Sequence, residues 1–106
     1  MGSKHINEKT IRRDLLRQLE TAGKATHTNI DRVEEYLRQR RIAMELYEDI
    51  EKRGAVFQDY DARGNLIWKD NTSVKQVLAV SKEMTSILKA LDLNAPPDVM
   101  AGADDL

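Results

Sequence analysis

The chain has 106 residues and no cysteine, which allows one domain at most and removes disulfides and thiolate metal sites from consideration. Its 17 Lys and Arg nearly balance 18 Asp and Glu, and charged residues make up 33 % of the chain, a balance that suits long solvated helices better than a compact sandwich. No apolar run approaches the roughly 20 residues of a membrane span, and the first residues lack a signal-peptide apolar core, so a cytoplasmic protein without membrane contact is expected.

Residues 1–7 are polar and read as loose. A first helix over about residues 7–21 carries Ile11, Leu15, Leu16 and Leu19 in one narrow stripe, and Gly23 suits the left-handed residue beyond its end. After a connector, Thr28 or Asn29 is expected to cap a second helix over about residues 29–53. Asp31, Glu34 and Glu35 gather near its start, and Lys52 and Arg53 fill its last turn, as the helix dipole favours. Its apolar residues Ile30, Val33, Tyr36, Leu37, Ala43, Met44, Tyr47 and Ile50 recur at helical spacing over about 25 residues, roughly 37 Å. Gly54 ends it.

A two-stranded hairpin is predicted over about residues 55–69, with strands at 56–60 and 66–68 around a turn in which Gly64 takes the left-handed position. Such a ribbon alone is marginal in water, so its faces need cover from the helices or from a neighbour. A third helix over about residues 73–93 opens with Ser73 and Gln76 at capping-box spacing. Its apolar residues spread over more than one face, wide enough to pack on the second helix and on another copy. Pro96 and Pro97 follow. Residues 1–94 thus read as a single helical domain, mainly α, with a long antiparallel helical pair, the hairpin between its members and a short N-terminal helix. Residues 95–106 read as an acidic, disordered tail. Only five residues are Phe, Tyr or Trp, so one copy has a thin core. Tyr36, Met44, Tyr47, Trp68, Val80 and Ile87 are the candidate contacts between copies.

No catalytic constellation is visible. His5 and His27 have no partner at metal-ligand spacing, the glycines are punctuation rather than a phosphate loop, and the serines lack a base. The sequence implies no cofactor, no metal and no small-molecule substrate. Charge is unevenly spread: residues 1–41 hold ten Lys and Arg against six Asp and Glu, whereas residues 42–106 hold seven against twelve. Arg12, Arg13, Arg17, Lys24, Arg38, Arg40 and Arg41 are candidates for phosphate contact. The competing reading pairs Arg38 with Glu34, Arg41 with Glu45, and Arg13 or Arg17 with Asp14 or Glu20 on the same helix. Arg40 falls within the apolar stripe, where it could face a partner's carboxylate or a central channel. Trp68 and Tyr60 are assigned to hairpin packing rather than base stacking. A helix-turn-helix is not claimed, because the connector from about residue 22 to 28 exceeds the usual turn.

The run Ile11-Arg12-Arg13-Asp14-Leu15-Leu16-Arg17-Gln18-Leu19-Glu20, then Val33-Glu34-Glu35-Tyr36-Leu37, the helix end Asp49-Ile50-Glu51-Lys52-Arg53-Gly54, Asn71-Thr72-Ser73-Val74 and Ile87-Leu88-Lys89-Ala90-Leu91-Asp92-Leu93 together resemble small terminase subunits of tailed phages and prophages over residues 9–93. The resemblance implies a non-catalytic, ring-forming homo-oligomer in the cytoplasm of the bacterial host. Such a protein recognises phage DNA and recruits and regulates the terminase large subunit, which holds the ATPase and nuclease. The acidic tail would be a docking segment for that subunit. The chain departs from the family where Leu-Gly-Leu and Thr-Pro are common: it has Leu91-Asp92-Leu93 and Asn94-Ala95-Pro96. No separate N-terminal DNA-binding domain is evident. The rival readings are a dimeric helical DNA-binding regulator and an oligomeric scaffold without nucleic-acid binding.

Overall fold

In a computed structural model that describes residues 7–96, the helical periodicity becomes three helices and the β-branched, aromatic run becomes a hairpin. The order is α1 (Glu8–Thr21), α2 (His27–Arg53), β1 (Val56–Tyr60), β2 (Leu66–Asp70) and α3 (Thr72–Leu91). Residues 1–6 of the expected loose start and residues 97–106 of the expected tail lie outside the described residues, whereas Asn7 is described and caps α1. Of the tail's expected span, Ala95 and Pro96 are described, and Pro96 is buried.

Local chemistry sets the helix ends. The Asn7 side chain accepts from the Thr10 amide at 2.9 Å, satisfying one of the donors a helix start leaves open. Gly23, at φ +71°, closes α1: its amide donates to Glu20 O, and that of Lys24 donates to Leu19 O, the paired bonds of a Schellman end. Two expected caps move. Helix α2 starts two residues earlier than its sequence predicts, because the Thr26 hydroxyl accepts from the Asn29 amide while the Asn29 side chain turns back to Lys24 O. Helix α3 is capped by Asn71, whose Oδ1 accepts from the Ser73 amide at 2.9 Å. Ser73 is released for a different bond.

Two apolar clusters line the face of α2. Ile11, Leu15 and Leu19 of α1 meet Val33, Tyr36 and Leu37 of α2 and Ile87, Leu88 and Leu91 of α3 in the first. Ala43 and Val77 centre the second, with Met44, Tyr47, Ile50 and Val80 packed around them. The first cluster joins the start of α2 to the end of α3, so the two helices run antiparallel. Helix α1 runs back along the first half of α2.

The hairpin pairs Val56 with Asp70 through Tyr60 with Leu66, antiparallel. It leaves the end of the helical pair and touches the helices little. At 1.5 Å per residue α2 spans about 40 Å, and five strand residues add about 17 Å, close to the 60 Å long axis of the molecule. No helix among the described residues is long and apolar enough to cross a membrane.

Candidate nucleic-acid interface

Burying Ile11, Leu15 and Leu19 at i, i+4 and i+8 fixes the opposite face of α1 outward. That face carries Lys9, Arg13 and Arg17 at the same spacing, all exposed, about 6 Å apart along the axis. Among the described residues none of the three has an ion-pair partner. The intrahelical pairing expected for Arg13 and Arg17 does not form: Asp14 instead accepts from Gln18 at 3.0 Å. Gln18 also bonds both the amide and the carbonyl of Asn94, at 2.9 and 3.2 Å, tying α1 to the segment after α3. Lys9 is not among the sequence candidates; its place in the 9, 13, 17 row, opposite the apolar stripe, is the signal that identifies it.

The remaining arginine candidates have other tasks. Arg12 grips Glu34 of α2 through Nε at 2.7 Å and Nη2 at 3.0 Å, a bidentate fork, and also reaches Glu8 at 3.2 Å. Arg41 crosses from α2 to Glu8 at 2.8 Å. Glu8, Arg12, Glu34 and Arg41 therefore form one alternating network that clamps α1 onto α2. The hydrogen bond from Arg41 holds the Glu8 carboxyl below its usual range, and that from Arg12 does the same for Glu34; both guanidiniums are raised in turn. With Glu34 taken by α1, Arg38 pairs with Glu35 rather than Glu34, and Arg41 ignores Glu45. Lys24 stands 3.9 Å from Asp92. Arg40 already has an interaction partner and is 2 % exposed. Its helical position within the buried stripe forces this.

A second polar cluster ties the hairpin's base to the helices. Asp49 accepts from Arg53 Nε at 2.8 Å and Nη2 at 2.9 Å, and from Ser73 Oγ at 2.7 Å. These bonds, Arg53's first, push its carboxyl far below the ordinary range. The buried Asn71 side chain donates to Gly54 O at 2.9 Å and accepts from Arg53 at 3.3 Å. Arg53 in turn lies 4.6 Å over the Phe57 ring, a cation–π contact that reaches into β1.

The candidate contacts between copies separate by burial. Tyr36 and Ile87 belong to the chain's own core, because the stripe they extend is consumed by α1 and α3. Met44, Tyr47 and Val80 are half-buried in the second cluster. Trp68 is 68 % exposed and Tyr60 65 %, so the expectation that they pack the hairpin is not met: the register puts both on the face turned away from Phe57 and Ile67. Among the described residues no three His, Cys, Asp or Glu side chains converge as a metal site would require.

A family model described as phage terminase, small subunit, matches residues 9–96 of the chain. No curated protein and no solved structure matches significantly.

Proposed function

The chain belongs to the phage terminase small subunit family, and from that membership we propose that it is the non-catalytic DNA-recognition and regulatory component of viral genome packaging. In this reading it works in the host cytoplasm as a homo-oligomeric ring that engages phage DNA and recruits and regulates the large ATPase and nuclease subunit.

One observation supports the DNA role most directly: the row Lys9, Arg13 and Arg17 stands on the solvent face of α1 without ion-pair partners among the described residues. A cation already forked onto a carboxylate must break that pair before it can neutralise a phosphate, whereas an unpaired one need not. The proposed contact set is therefore narrower than the basic half of the sequence implies. It gains Lys9, keeps Arg13 and Arg17, and sets aside Arg12, Arg38, Arg40 and Arg41.

The test is the salt dependence of binding to duplex DNA, followed by fluorescence anisotropy. Each phosphate that is no longer neutralised lowers the slope of log affinity against log salt by about 0.9. Replacing Lys9, Arg13 and Arg17 with Ala is expected to weaken binding and flatten the slope, while Arg38→Ala leaves both nearly unchanged. Unaltered affinity and slope in the triple variant would remove α1 from the interface. Absence of any salt-dependent binding by the unaltered chain would favour the scaffold reading.

A further inference from the structure

The cationic row of α1 ends where the chain turns into an acidic stretch. Residues 97–106 hold Asp98, Asp104 and Asp105 and no Lys or Arg. The chain enters that stretch from a fixed point. The Gln18 side chain accepts from the Asn94 amide at 2.9 Å and donates to its carbonyl at 3.2 Å, and Pro96 just beyond is buried. Gln18 adjoins Arg17, the last member of the Lys9, Arg13, Arg17 row. Arg17 and Gln18 also line one open hollow of about 290 Å³, completed by Asp14, Thr21 and Ala22. The hollow has room for a side chain such as Val99 or Met100 of the segment that follows.

Reach and charge both match. Measured from Pro96, Asp98 is at most about 7 Å away along the chain and Asp105 at most about 32 Å. The row itself is about 12 Å long from Arg17 to Lys9. Asp98 therefore reaches Arg17, and Asp104 and Asp105 reach Arg13 and Lys9 with slack. Three carboxylates thus come within range of three exposed cations that have no ion-pair partner among the described residues. Lys75, Lys82 and Lys89 on α3 are exposed as well, but the tie through Gln18 delivers the segment to α1.

We propose that residues 97–106 dock on this row and occupy it in competition with DNA. The segment is tethered, so it competes as if at high local concentration. Exposed carboxylate–cation pairs are weak enough for a duplex to displace. A partner that draws the segment away, such as the large subunit in the reading above, frees the row. This is a regulation of the site under the proposed function and rests on that reading.

The test compares the full chain with a variant carrying Asp98→Asn, Asp104→Asn and Asp105→Asn, each titrated with duplex DNA by fluorescence anisotropy. The neutral variant is expected to bind about three- to tenfold tighter at low salt, from the loss of three exposed pairs. That gain is expected to shrink as salt rises and charges are screened, and to vanish when Lys9, Arg13 and Arg17 are also changed to Ala. A second readout needs no DNA. Zero-length carbodiimide coupling joins an amine to a carboxylate in contact with it, and mass spectrometry is expected to find Lys9 joined to Asp104 or Asp105. Unchanged affinity in the neutral variant of a chain that does bind DNA would overturn the docking and leave the DNA reading standing. A gain that persists without the α1 cations would reflect net charge alone and overturn the docking too, as would coupling to Lys75, Lys82 or Lys89 in place of Lys9. Absence of salt-dependent binding by every variant would overturn the DNA reading, and with it the competition, whatever the coupling shows.

Discussion

Arg13 and Arg40 come from the same basic half of the chain, yet their surroundings give them opposite roles. Arg13 stands on the outer face of α1 and Arg40 is enclosed at 2 % exposure. Arg13→Ala should change stability by less than about 0.5 kcal/mol while weakening DNA binding. Arg40→Ala should cost about 3 kcal/mol, because it opens a void and strands whatever the guanidinium engages. Chemical denaturation of the two variants checks both expectations. The residue type is readable in the sequence but the partner is not. Spacing along one helix offers Glu34 to Arg38, and only the approach of α1 reveals that Arg12 has taken it. Asp92 is a third instructive residue. It holds φ 56° at the end of α3, and its contact with Lys24 at 3.9 Å is exposed and weak. Asp92→Gly is expected to stabilise the fold by about 0.5 kcal/mol, because glycine adopts the left-handed conformation without the Cβ clash; a lower thermal midpoint would contradict this.

At the level of elements, the join between α2 and β1 decides where the hairpin points. Gly54 has φ 84° and ψ 170°, and a Cβ there would meet Val56 O at 3.3 Å. That backbone region is accessible essentially to glycine alone, so Gly54→Ala should cost about 2 kcal/mol or redirect the hairpin; thermal unfolding measures the first and Trp68 emission the second. Helix and hairpin existence follows from periodicity and turn chemistry. The cluster of Asp49, Arg53, Asn71 and Ser73 does not, since it joins residues more than 15 positions apart. Those residues lie within the family-like stretches, yet their bonding is invisible until α3 is placed beside α2. The carboxylates in these joins also set an acid limit. Glu8, Glu34, Asp49, Asp59 and Asp61 are all held below their ordinary values, by Arg41, Arg12, Arg53 and the amides of Tyr60 and Asn65 respectively. A lowered folded-state value means the stabilisation is complete above the unfolded value and is lost as pH falls through the folded one. The thermal midpoint should therefore be level from pH 8 to about 6 and fall progressively below about pH 5. A midpoint that rises on acidification would contradict the ion-pair assignments.

For the whole molecule, the 60 × 30 × 22 Å shape follows from one long helix, a partner that runs back along it and a hairpin projecting beyond both. The short helix α1 covers only the half of α2 away from the hairpin. A single copy thus has a buried core at one end, a hairpin with exposed Val56, Tyr60, Leu66 and Trp68 at the other and a cationic row on α1. In the ring reading proposed above, such bodies stand side by side. The measurement that tests this most directly is solution mass by size-exclusion chromatography with light scattering. The account predicts one discrete species, an integral multiple of 12.1 kDa well above the dimer. A stable monomer or dimer that persists at high concentration, with or without duplex DNA, would contradict it.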